Sequence, residues 1–515
     1  MRVFSGILQI LGLMKKFLQS AVFLAISGLV AKAVGALFKV PLTNVLGAEG
    51  IGIYQLVFPV YTVLLALSGG GLPQAVSRMV SRCCVAGDAA GARRVLSVCM
   101  LALTAVGCAG TVMLLVFGHA LALMQGNAAA TQAYWALSPS VLFVSVLAVL
   151  RGYFQGKRNM FPTAISQLAE QVIKLFAGLF MAMLLLKYGL VSGVAGALIG
   201  VSISEAVSLG IIAVMYAFDR RKKQADVCAD VQTLPARKIL KEIYMTALPI
   251  SLGALIMPLS QLIDSVMVVN LLKLSGQTVS EATSLYGIVT APLSTLINLP
   301  TVVSAALAVS LIPCLASGNE RETVSSHMRL ASAAGGAGAS MLFVFGDELL
   351  AMLYGSGLSA EHLALASMLM KVSAISVFFV SVTQIMAAAM QAKGRANLPA
   401  RNLLISAAFK AALTAVGVMT VGISGAVIAT VLCYAVAFTL DYISLKKVVG
   451  GSYAAQITLP ALCGFGAGAA AYLVKLVMND CYAWLMFVIA GGVFALSFTA
   501  SAYFTKSIRR ADFRK

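Results

Sequence analysis

Charged residues are scarce in this chain of 515 residues, since Asp, Glu, Lys and Arg make up only 11% of it while 60% is hydrophobic. Soluble globular proteins are about 25% charged and about 45–50% apolar. A soluble domain of this composition could not bury its apolar surface, which excludes the soluble enzymes and binding modules. The mean hydropathy of +0.95 instead predicts a polytopic membrane protein.

Patterns of catalytic or metal-binding residues are missing as well. The three histidines, His119, His327 and His362, lie in or near separate loops, and the nine cysteines are scattered without metal-ligand spacing. The adjacent Cys83 and Cys84 do not indicate a disulfide framework. No loop is long enough for a soluble catalytic domain, so we expect neither an enzyme nor a metal protein, and no cofactor.

Long apolar runs take the place of polar stretches. Fourteen runs are each long enough for a membrane-spanning helix, which needs roughly 20 residues. A membrane β-barrel would instead show segments of about 10 residues with alternating polarity. We therefore predict an all-α polytopic fold with about 14 transmembrane helices. The runs are 17–40, 51–77, 95–118, 132–155, 161–186, 191–217, 243–270, 283–314, 328–353, 365–390, 400–421, 424–445, 454–477 and 482–505.

Basic residues are almost missing from every second loop. With the N-terminus in the cytoplasm, the cytoplasmic segments hold most of the 37 Lys and Arg residues, and the outer loops hold only Lys187, Lys273 and Lys475. One missed span would invert every later loop, so the positive-inside rule predicts both termini in the cytoplasm. Because the net charge of +19 lies in these short loops, we expect no nucleic acid partner.

The start of the chain resembles a cleavable signal. From Met14 it has a basic head, an apolar run and the tripeptide Ala-Lys-Ala. Because the apolar pattern continues through Val40, we expect a retained first helix, with Met1 and Met14 both remaining candidate starts.

The two halves of the chain repeat weakly. Segment 149–175 parallels 387–413, and 193–200 parallels 422–429. A parallel repeat predicts two six-helix bundles in a pseudo-twofold arrangement around a central site. The aligned pairs are Gln155 with Gln391, Lys157 with Lys393, Pro162 with Pro399 and Lys174 with Lys410.

The repeat also predicts the domain bounds. We place one bundle at 1–218 and the other at 243–447, joined by a basic cytoplasmic linker at 219–242. The remainder, 448–515, lies outside the repeat and is predicted to hold two extra transmembrane helices and a basic cytoplasmic tail.

The first span carries two lysines where a purely structural helix should have none. Lys32, Gly35 and Lys39 share one helical face, which is small and cationic. A lysine near the hydrocarbon core costs about 2.5–3.5 kcal/mol, so it persists where it faces water, a partner charge or a ligand. The alternative is that both lysines snorkel to the interface.

Other charges inside the predicted spans favour an anionic substrate. Five lysines stand against three acids, which suits a diphosphate or carboxylate headgroup better than a cationic drug. The acids would bind Na⁺ or H⁺ as a coupling ion or merely offset charge, and Glu170 and Lys174, at i and i+4, could be a self-neutralised pair. The lysines predicted to bind substrate are Lys32, Lys39, Lys174, Lys371 and Lys410, with Gly35 beside them; the predicted ion-coupling acids are Glu170, Glu205 and Asp264.

Prolines cluster in the seventh and eighth spans. Pro258 precedes Asp264, and Pro292 and Pro300 follow in the next span. Proline in a span frees backbone carbonyls, which supply a hinge or an ion-coordinating group. We predict a gating region here, and a simple kink at each proline is the alternative.

The motifs resemble a known superfamily. Lys32-x-x-Gly35-x-x-x-Lys39, LGAEGIGIYQL at 46–56 and GLPQAVSRMVS at 71–81 are similar to the multidrug/oligosaccharidyl-lipid/polysaccharide exporter superfamily, on its polysaccharide transporter branch with the stage V sporulation protein B type and the MurJ-type lipid II flippases. The resemblance covers about the whole chain. This sequence has lysines in the first span where those relatives typically have arginines.

The resemblance implies a V-shaped pair of bundles that moves a polyprenyl-linked sugar precursor outward by alternating access. It also implies that basic residues of the cavity contact the headgroup and that the last two spans form a lipid groove.

We therefore expect a flippase for a polyprenyl-diphosphate-linked saccharide, such as the peptidoglycan precursor lipid II, in the plasma membrane of a spore-forming type of bacterium. We expect a monomer that contacts membrane lipids and cell-wall synthesis enzymes. The alternatives are a cation-coupled multidrug antiporter led by Glu170 and Asp264, and a membrane scaffold for wall-synthesis enzymes.

Overall fold

The computed structural model describes residues 2–69, 71–222, 235–315, 320–478 and 483–505, and all regular structure in this part of the chain is helical. The helices are α1 Arg2–Gly69, α2 Leu72–Val85, α3 Ala89–Met124, α4 Ala130–Gly156, α5 Phe161–Leu186, α6 Leu190–Lys222, α7 Ala236–Leu274, α8 Val279–Ile288, α9 Ser294–Leu315, α10 Glu320–Tyr354, α11 Ala360–Ser373, α12 Ile375–Ala392, α13 Asn397–Val421, α14 Ile423–Val448, α15 Ala454–Val477 and α16 Ala483–Phe504. A π-helical turn, Val289–Leu293, joins α8 to α9.

The predicted spans correspond to these helices. Most spans are single helices, whereas the eighth consists of α8, the π-helical turn and α9, and the tenth of α11 and α12. In the described residues, twelve helical stretches are long and apolar enough to cross a membrane. The stretch Ala33–Val85 includes the second predicted span and the end of the first, and the last span appears as the shorter apolar helix Val488–Tyr503. The prediction of an all-α polytopic membrane protein with about 14 spans is confirmed.

The first two spans are joined by a kink rather than a loop. Helix α1 continues through the sequence LGAEGIG, and within it Gly47 has non-helical angles of φ 69° and ψ −175°. A left-handed φ of this kind suits glycine, which has no Cβ to clash. The kink at Gly47 therefore lies in the short stretch between the predicted runs 17–40 and 51–77.

The chain divides into two compact units. The N-terminal unit comprises Met1–Phe38 and Ile53–Leu262, and the C-terminal unit comprises Lys39–Gly52 and Ile263–Lys515. The short segment Lys39–Gly52, which we call the α1 tip, thus belongs to the C-terminal unit although the helix before it belongs to the N-terminal one. The domain bounds at 218 and 243 stay a prediction.

Helix α4 is central to the N-terminal unit. Most of its residues are buried, whereas α3 directs apolar side chains such as Leu101, Val116 and Phe117 outward. A membrane protein solvates such side chains with lipid, so the exposed apolar surface indicates membrane-facing helices.

Glycines allow neighbouring helices to approach closely in both units. A Cβ added at Gly200 of α6 would lie 2.3 Å from the Cα of Gly178 of α5, and one at Gly425 of α14 would lie 2.1 Å from the carbonyl carbon of Gly417 of α13. Small residues at helix crossings are typical of membrane proteins, where close van der Waals contact drives association. The same kind of glycine crossing therefore recurs in the two halves of the chain.

The last two helices pack on the rest of the C-terminal unit through α15. A Cβ at Gly464 would lie 2.6 Å from the backbone nitrogen of Ala337, and one at Gly468 would lie 2.4 Å from Ser340 Cβ. Helix α16 packs in turn on α15. Their predicted position outside the repeat, in the segment 448–515, stays a prediction.

The Gly178–Gly200 crossing predicts a stability difference between two glycines of one helix. Gly200→Val should lower the free energy of unfolding by about 3 kcal/mol or more, since overpacking of one or two groups already costs about 1–3 kcal/mol. The matched control is Gly210→Val in the same helix, where an added Cβ meets nothing within 4 Å. Melting temperatures of the detergent-solubilised variants measure the effect. Equal melting of Gly200→Val and Gly210→Val would contradict the predicted close crossing.

Candidate functional site

A polar network lies between α4 and α5 in the N-terminal unit. Arg151 Nη2 donates to Glu170 Oε2 at 3.0 Å, and Lys174 Nζ lies 3.8 Å from Glu170 Oε1. Arg151 Nε also donates to Ser166 Oγ at 3.1 Å, and Gln171 Nε2 donates to Glu170 Oε1 at 2.8 Å. One carboxylate is therefore held by two cations, so the network differs from the self-neutralised pair that the sequence left open. We call Arg151, Glu170, Gln171 and Lys174 the α4–α5 network.

Arg151 is the member that sequence reasoning missed. It lies inside α4, which continues to Gly156. The apolar run 132–155 already included it and was the available signal. The position of the residue near the end of that run concealed its role.

The cationic face predicted on α1 is partly described. A Cβ at Gly35 would lie 2.8 Å from Gln171 Oε1, so this glycine makes room for the α4–α5 network. The side chain of Lys32 lies outside the described residues, and its predicted role stays a prediction.

Glu205 of α6 is a buried acid near the same network. Its residue is only 4% exposed, and Tyr61 OH donates to Oε1 at 3.4 Å. Among the described residues Oε2 has no hydrogen-bond partner. The unpartnered oxygen is where a small cation could bind in the N-terminal unit.

In the C-terminal unit, two predicted site residues form an ion pair. Lys410 Nζ of α13 contacts Asp264 Oδ2 of α7, and both side chains are largely buried. We had assigned the lysine to substrate and the acid to a coupling ion. The structure brings them together, so in this conformation each offsets the charge of the other.

Two further ion pairs join the end of α10 to its neighbours. Lys371 Nζ lies 2.9 Å from Asp347 Oδ2, and Lys475 Nζ lies 2.7 Å from Glu348 Oε1. The Lys371 side chain is 44% exposed, and the residue lies in the last turn of α11. Sequence reasoning missed both acids, although they fall within the predicted run 328–353. Lys371 therefore has a partner charge.

Lys39 has a different environment. It lies on the α1 tip, and its Nζ donates to the Thr290 carbonyl oxygen at 3.4 Å. No acidic partner of Lys39 occurs among the side chains that the structure describes. Thr290 belongs to the π-helical turn that contains Pro292, and proline withholds a donor from the helix there. A predicted gating proline thus lies in the turn that supplies the partner of a predicted binding lysine.

The α1 tip packs tightly within the C-terminal unit. A Cβ at Gly287 of α8 would lie 2.4 Å from the Ala48 carbonyl oxygen, and one at Gly52 would lie 2.1 Å from the Thr283 carbonyl oxygen. Asn44 Nδ2 also donates to the Leu353 carbonyl oxygen at 2.8 Å. These contacts leave no room for a larger side chain, so they hold the tip against α8 and α10.

The other two predicted gating prolines, Pro258 and Pro300, lie outside the π-helical turn. Pro258 lies within α7 in the N-terminal unit, and the helix continues through it. Pro300 lies within α9, 2.7 Å from where a Cβ at Gly338 would be. Their predicted role in gating stays a prediction.

A polytopic helical protein that has paired charges inside its spans and, among the side chains that the structure describes, a lysine without an acidic partner has the features of a membrane transporter. Consistent with this, the family model described as "Polysaccharide biosynthesis protein" matches residues 17–319. This match extends over more than half of the chain, which therefore belongs to the polysaccharide biosynthesis protein family.

Two curated relatives come from Bacillus subtilis (strain 168). The chain is 27% identical to stage V sporulation protein B over 465 residues, which cover 87% of this chain and 88% of the relative. It is 25% identical to the lipid II flippase MurJ over 466 residues, which cover 85% of this chain and 84% of the relative.

Solved structures share the fold. The lipid II flippase MurJ in an inward closed conformation matches with a TM-score of 0.71 and 13% identity, covering 96% of this chain and 99% of that one. A multidrug resistance MATE family transporter of the MOP superfamily, in an inward-facing conformation, matches with a TM-score of 0.65 and 18% identity, covering 82% of this chain and 94% of that one. The resemblance inferred from the motifs is confirmed.

The packing of the α1 tip predicts the effect of a larger side chain at Gly287. Gly287→Val should displace the tip, because the added Cβ would overlap the Ala48 carbonyl oxygen. With a reporter cysteine at Ala48 in a cysteine-free background, we expect labelling by a membrane-impermeant maleimide to accelerate at least about tenfold, which corresponds to about 1.4 kcal/mol. The control is the neighbouring change Ile288→Val. An unchanged labelling rate in correctly folded Gly287→Val protein would contradict the close packing of the α1 tip against α8.

Proposed function

We propose that this protein is a flippase that exports a polyprenyl-diphosphate-linked saccharide, lipid II or a related polysaccharide precursor, across the bacterial plasma membrane by alternating access. The family and the curated flippase relative support this proposal. The observation that carries it is Lys39, an ammonium inside a span whose described partner is a backbone carbonyl rather than an acid.

The balance of charges favours an anionic ligand. Three lysines have their charge offset by an acid, in the pairs Lys410–Asp264, Lys371–Asp347 and Lys475–Glu348. Among the side chains that the structure describes inside the spans, Lys39 has no acidic partner, and the α4–α5 network has two cations for the one carboxylate of Glu170. A diphosphate group is an effective partner for such cations, because charge-assisted hydrogen bonds are about twice as strong as neutral ones.

Lys39 can exchange partners without breaking an ion pair. The Thr290 carbonyl satisfies the ammonium while no substrate is bound, and a phosphate oxygen would replace that carbonyl when the headgroup arrives. Lysine carries three rotatable donors on a flexible stem, which suits such an exchange better than the fixed fork of arginine. Release of the headgroup would restore the contact with Thr290.

We also propose that Glu205 provides ion coupling. The α4–α5 network carries one surplus positive charge, and an ionised Glu205 would cancel it, whereas H⁺ or Na⁺ bound at Oε2 would restore it. Binding of the coupling ion would thus increase the attraction of the N-terminal unit for an anion. Glu170 and Asp264 are less suited to this role, because both are already held by cations.

The same pairing weakens the alternative of a multidrug antiporter. A site for cationic drugs requires uncompensated acids, but Glu170 and Asp264, which would lead it, are neutralised.

We further propose that the protein is a monomer and that it is a transporter, not an enzyme. We also propose that both of its termini lie in the cytoplasm and that it contacts cell-wall synthesis enzymes.

The role of Lys39 predicts a charge requirement. Lys39→Ala should reduce export about 10- to 100-fold, since a hydrogen bond to a charged group contributes about 1.5–3 kcal/mol, while Lys39→Arg should retain export. Complementation of flippase-depleted cells and the amount of lipid-linked precursor on the inner leaflet measure the effect. Lys187→Ala, in a predicted outer loop, is the control. Full growth with Lys39→Ala at wild-type protein levels would count against the flippase proposal.

The role of Glu205 predicts a loss of coupling. Glu205→Gln should transport lipid-linked precursor in proteoliposomes at a rate that no longer responds to an imposed pH or Na⁺ gradient, because the amide cannot exchange a proton or bind a cation as a carboxylate does. Glu361→Gln, at the exposed start of α11, is the control. A gradient response equal to that of the wild type would overturn the coupling proposal and leave the flippase proposal standing.

A further inference from the structure

A basic cavity lies at one end of the C-terminal unit, apart from the residues discussed above. Helix α12 ends there at Ala392, α13 begins at Asn397 and α14 ends at Val448. The cavity has a volume of about 360 Å³. Its lining consists of three basic and two apolar residues, namely Lys393, Arg395, Lys447, Leu398 and Val448.

The charge of this cavity is mostly uncompensated. Lys393 forms an ion pair with Glu320 of α10. Among the described residues, neither Arg395 nor Lys447 has an ion pair, and no acidic residue lines the cavity. Arg395 and Lys447 therefore line a cavity whose lining includes no acidic side chain. The charge asymmetry of the loops predicts that this end faces the cytoplasm.

The N-terminal unit offers an internal comparison. Lys157, the repeat counterpart of Lys393, lines a cavity of only about 60 Å³ together with Arg93 and Arg220. Asp219 lines that cavity as well and forms an ion pair with Lys157. The ring of Tyr153 also lies 5.1 Å from Lys157 Nζ. The smaller cavity thus has its own acid and an aromatic wall, whereas the larger one has neither.

We propose that the cavity formed by Lys393, Arg395 and Lys447 binds the phosphate of an anionic phospholipid headgroup from the adjacent leaflet. Basic pockets between transmembrane helices on the cytoplasmic side recognise such headgroups. Leu398 and Val448 give the cavity an apolar wall at the helix ends, where the glycerol and the first acyl carbons of a lipid would lie. The site is distinct from the transport residues of the proposed function and does not depend on that function.

Binding of lipid to the full-length, delipidated protein tests this site. Native mass spectrometry would follow titrations with dioleoyl phosphatidylglycerol, dioleoyl phosphatidylcholine and glycerol 3-phosphate. We expect saturable binding of phosphatidylglycerol, and the double variant Arg395→Gln with Lys447→Gln should raise its apparent Kd about 25-fold, because each basic residue near an anionic surface contributes about fivefold.

The matched control removes the same charge from the N-terminal unit. The double variant Arg93→Gln with Arg220→Gln should change the apparent Kd less than about twofold, since its cavity holds an acid. Arg395→Lys with Lys447→Arg should keep the affinity, and melting temperatures verify that each variant is folded.

The titration with glycerol 3-phosphate distinguishes a lipid headgroup from a soluble phosphate ester as the ligand. Binding of phosphatidylglycerol without binding of glycerol 3-phosphate supports a lipid headgroup, whereas glycerol 3-phosphate bound equally well would overturn the lipid assignment in favour of a soluble phosphate ester. Equal binding of phosphatidylcholine, or equal loss of affinity in the two glutamine double variants, would overturn the site itself.

Discussion

The cost of placing a charge in hydrocarbon constrains this molecule more than any other single factor. A charged side chain inside a span must meet a partner charge, a hydrogen-bonding group or water. The described side chains meet this condition in different ways: Lys410 pairs with Asp264, two cations surround Glu170, and Lys39 donates to a carbonyl. The way in which each charge is satisfied indicates whether it is available to a ligand.

Helix packing brings these charges together. The crossings at Gly178–Gly200 and Gly417–Gly425 bring α5 against α6 and α13 against α14. Gly178 lies on α5, which carries the acid of the α4–α5 network, and Gly200 lies on α6, which carries Glu205. Small residues therefore do more than pack, because they allow polar groups on neighbouring helices to interact within the membrane.

The two halves share this packing but not its polar contents. Lys174 and Lys410 are aligned in the repeat, yet Lys174 shares Glu170 with Arg151, whereas Lys410 has Asp264. The first arrangement keeps a surplus cation and the second does not. A common fold has thus acquired different electrostatic environments at the aligned lysines of its two halves.

The sequence predicted the spans well because length and hydropathy are local properties. It did not predict that Lys410 would meet Asp264, since 146 residues separate them and only tertiary packing brings them together. Asp347 and Glu348 were overlooked because a hydropathy run conceals acids near its end. The break between the runs 17–40 and 51–77 indicated where the helix would be interrupted, but it did not single out Gly47, whose left-handed φ produces the kink in α1.

The partner of Lys39 explains why lysine serves at this position. A buried ion pair is expensive to separate, since removal of one partner leaves an uncompensated charge, so Lys410 would bind a ligand only at the expense of Asp264. A carbonyl is a weaker partner than a carboxylate, so in the proposed function Lys39 would leave it for a phosphate at a lower cost than Lys410 would leave Asp264. The π-helical turn with Pro292 supplies that carbonyl on the helix against which the α1 tip packs. Movement of the tip and exchange of the lysine's partner are therefore physically linked, because displacement of the tip would separate Lys39 from Thr290.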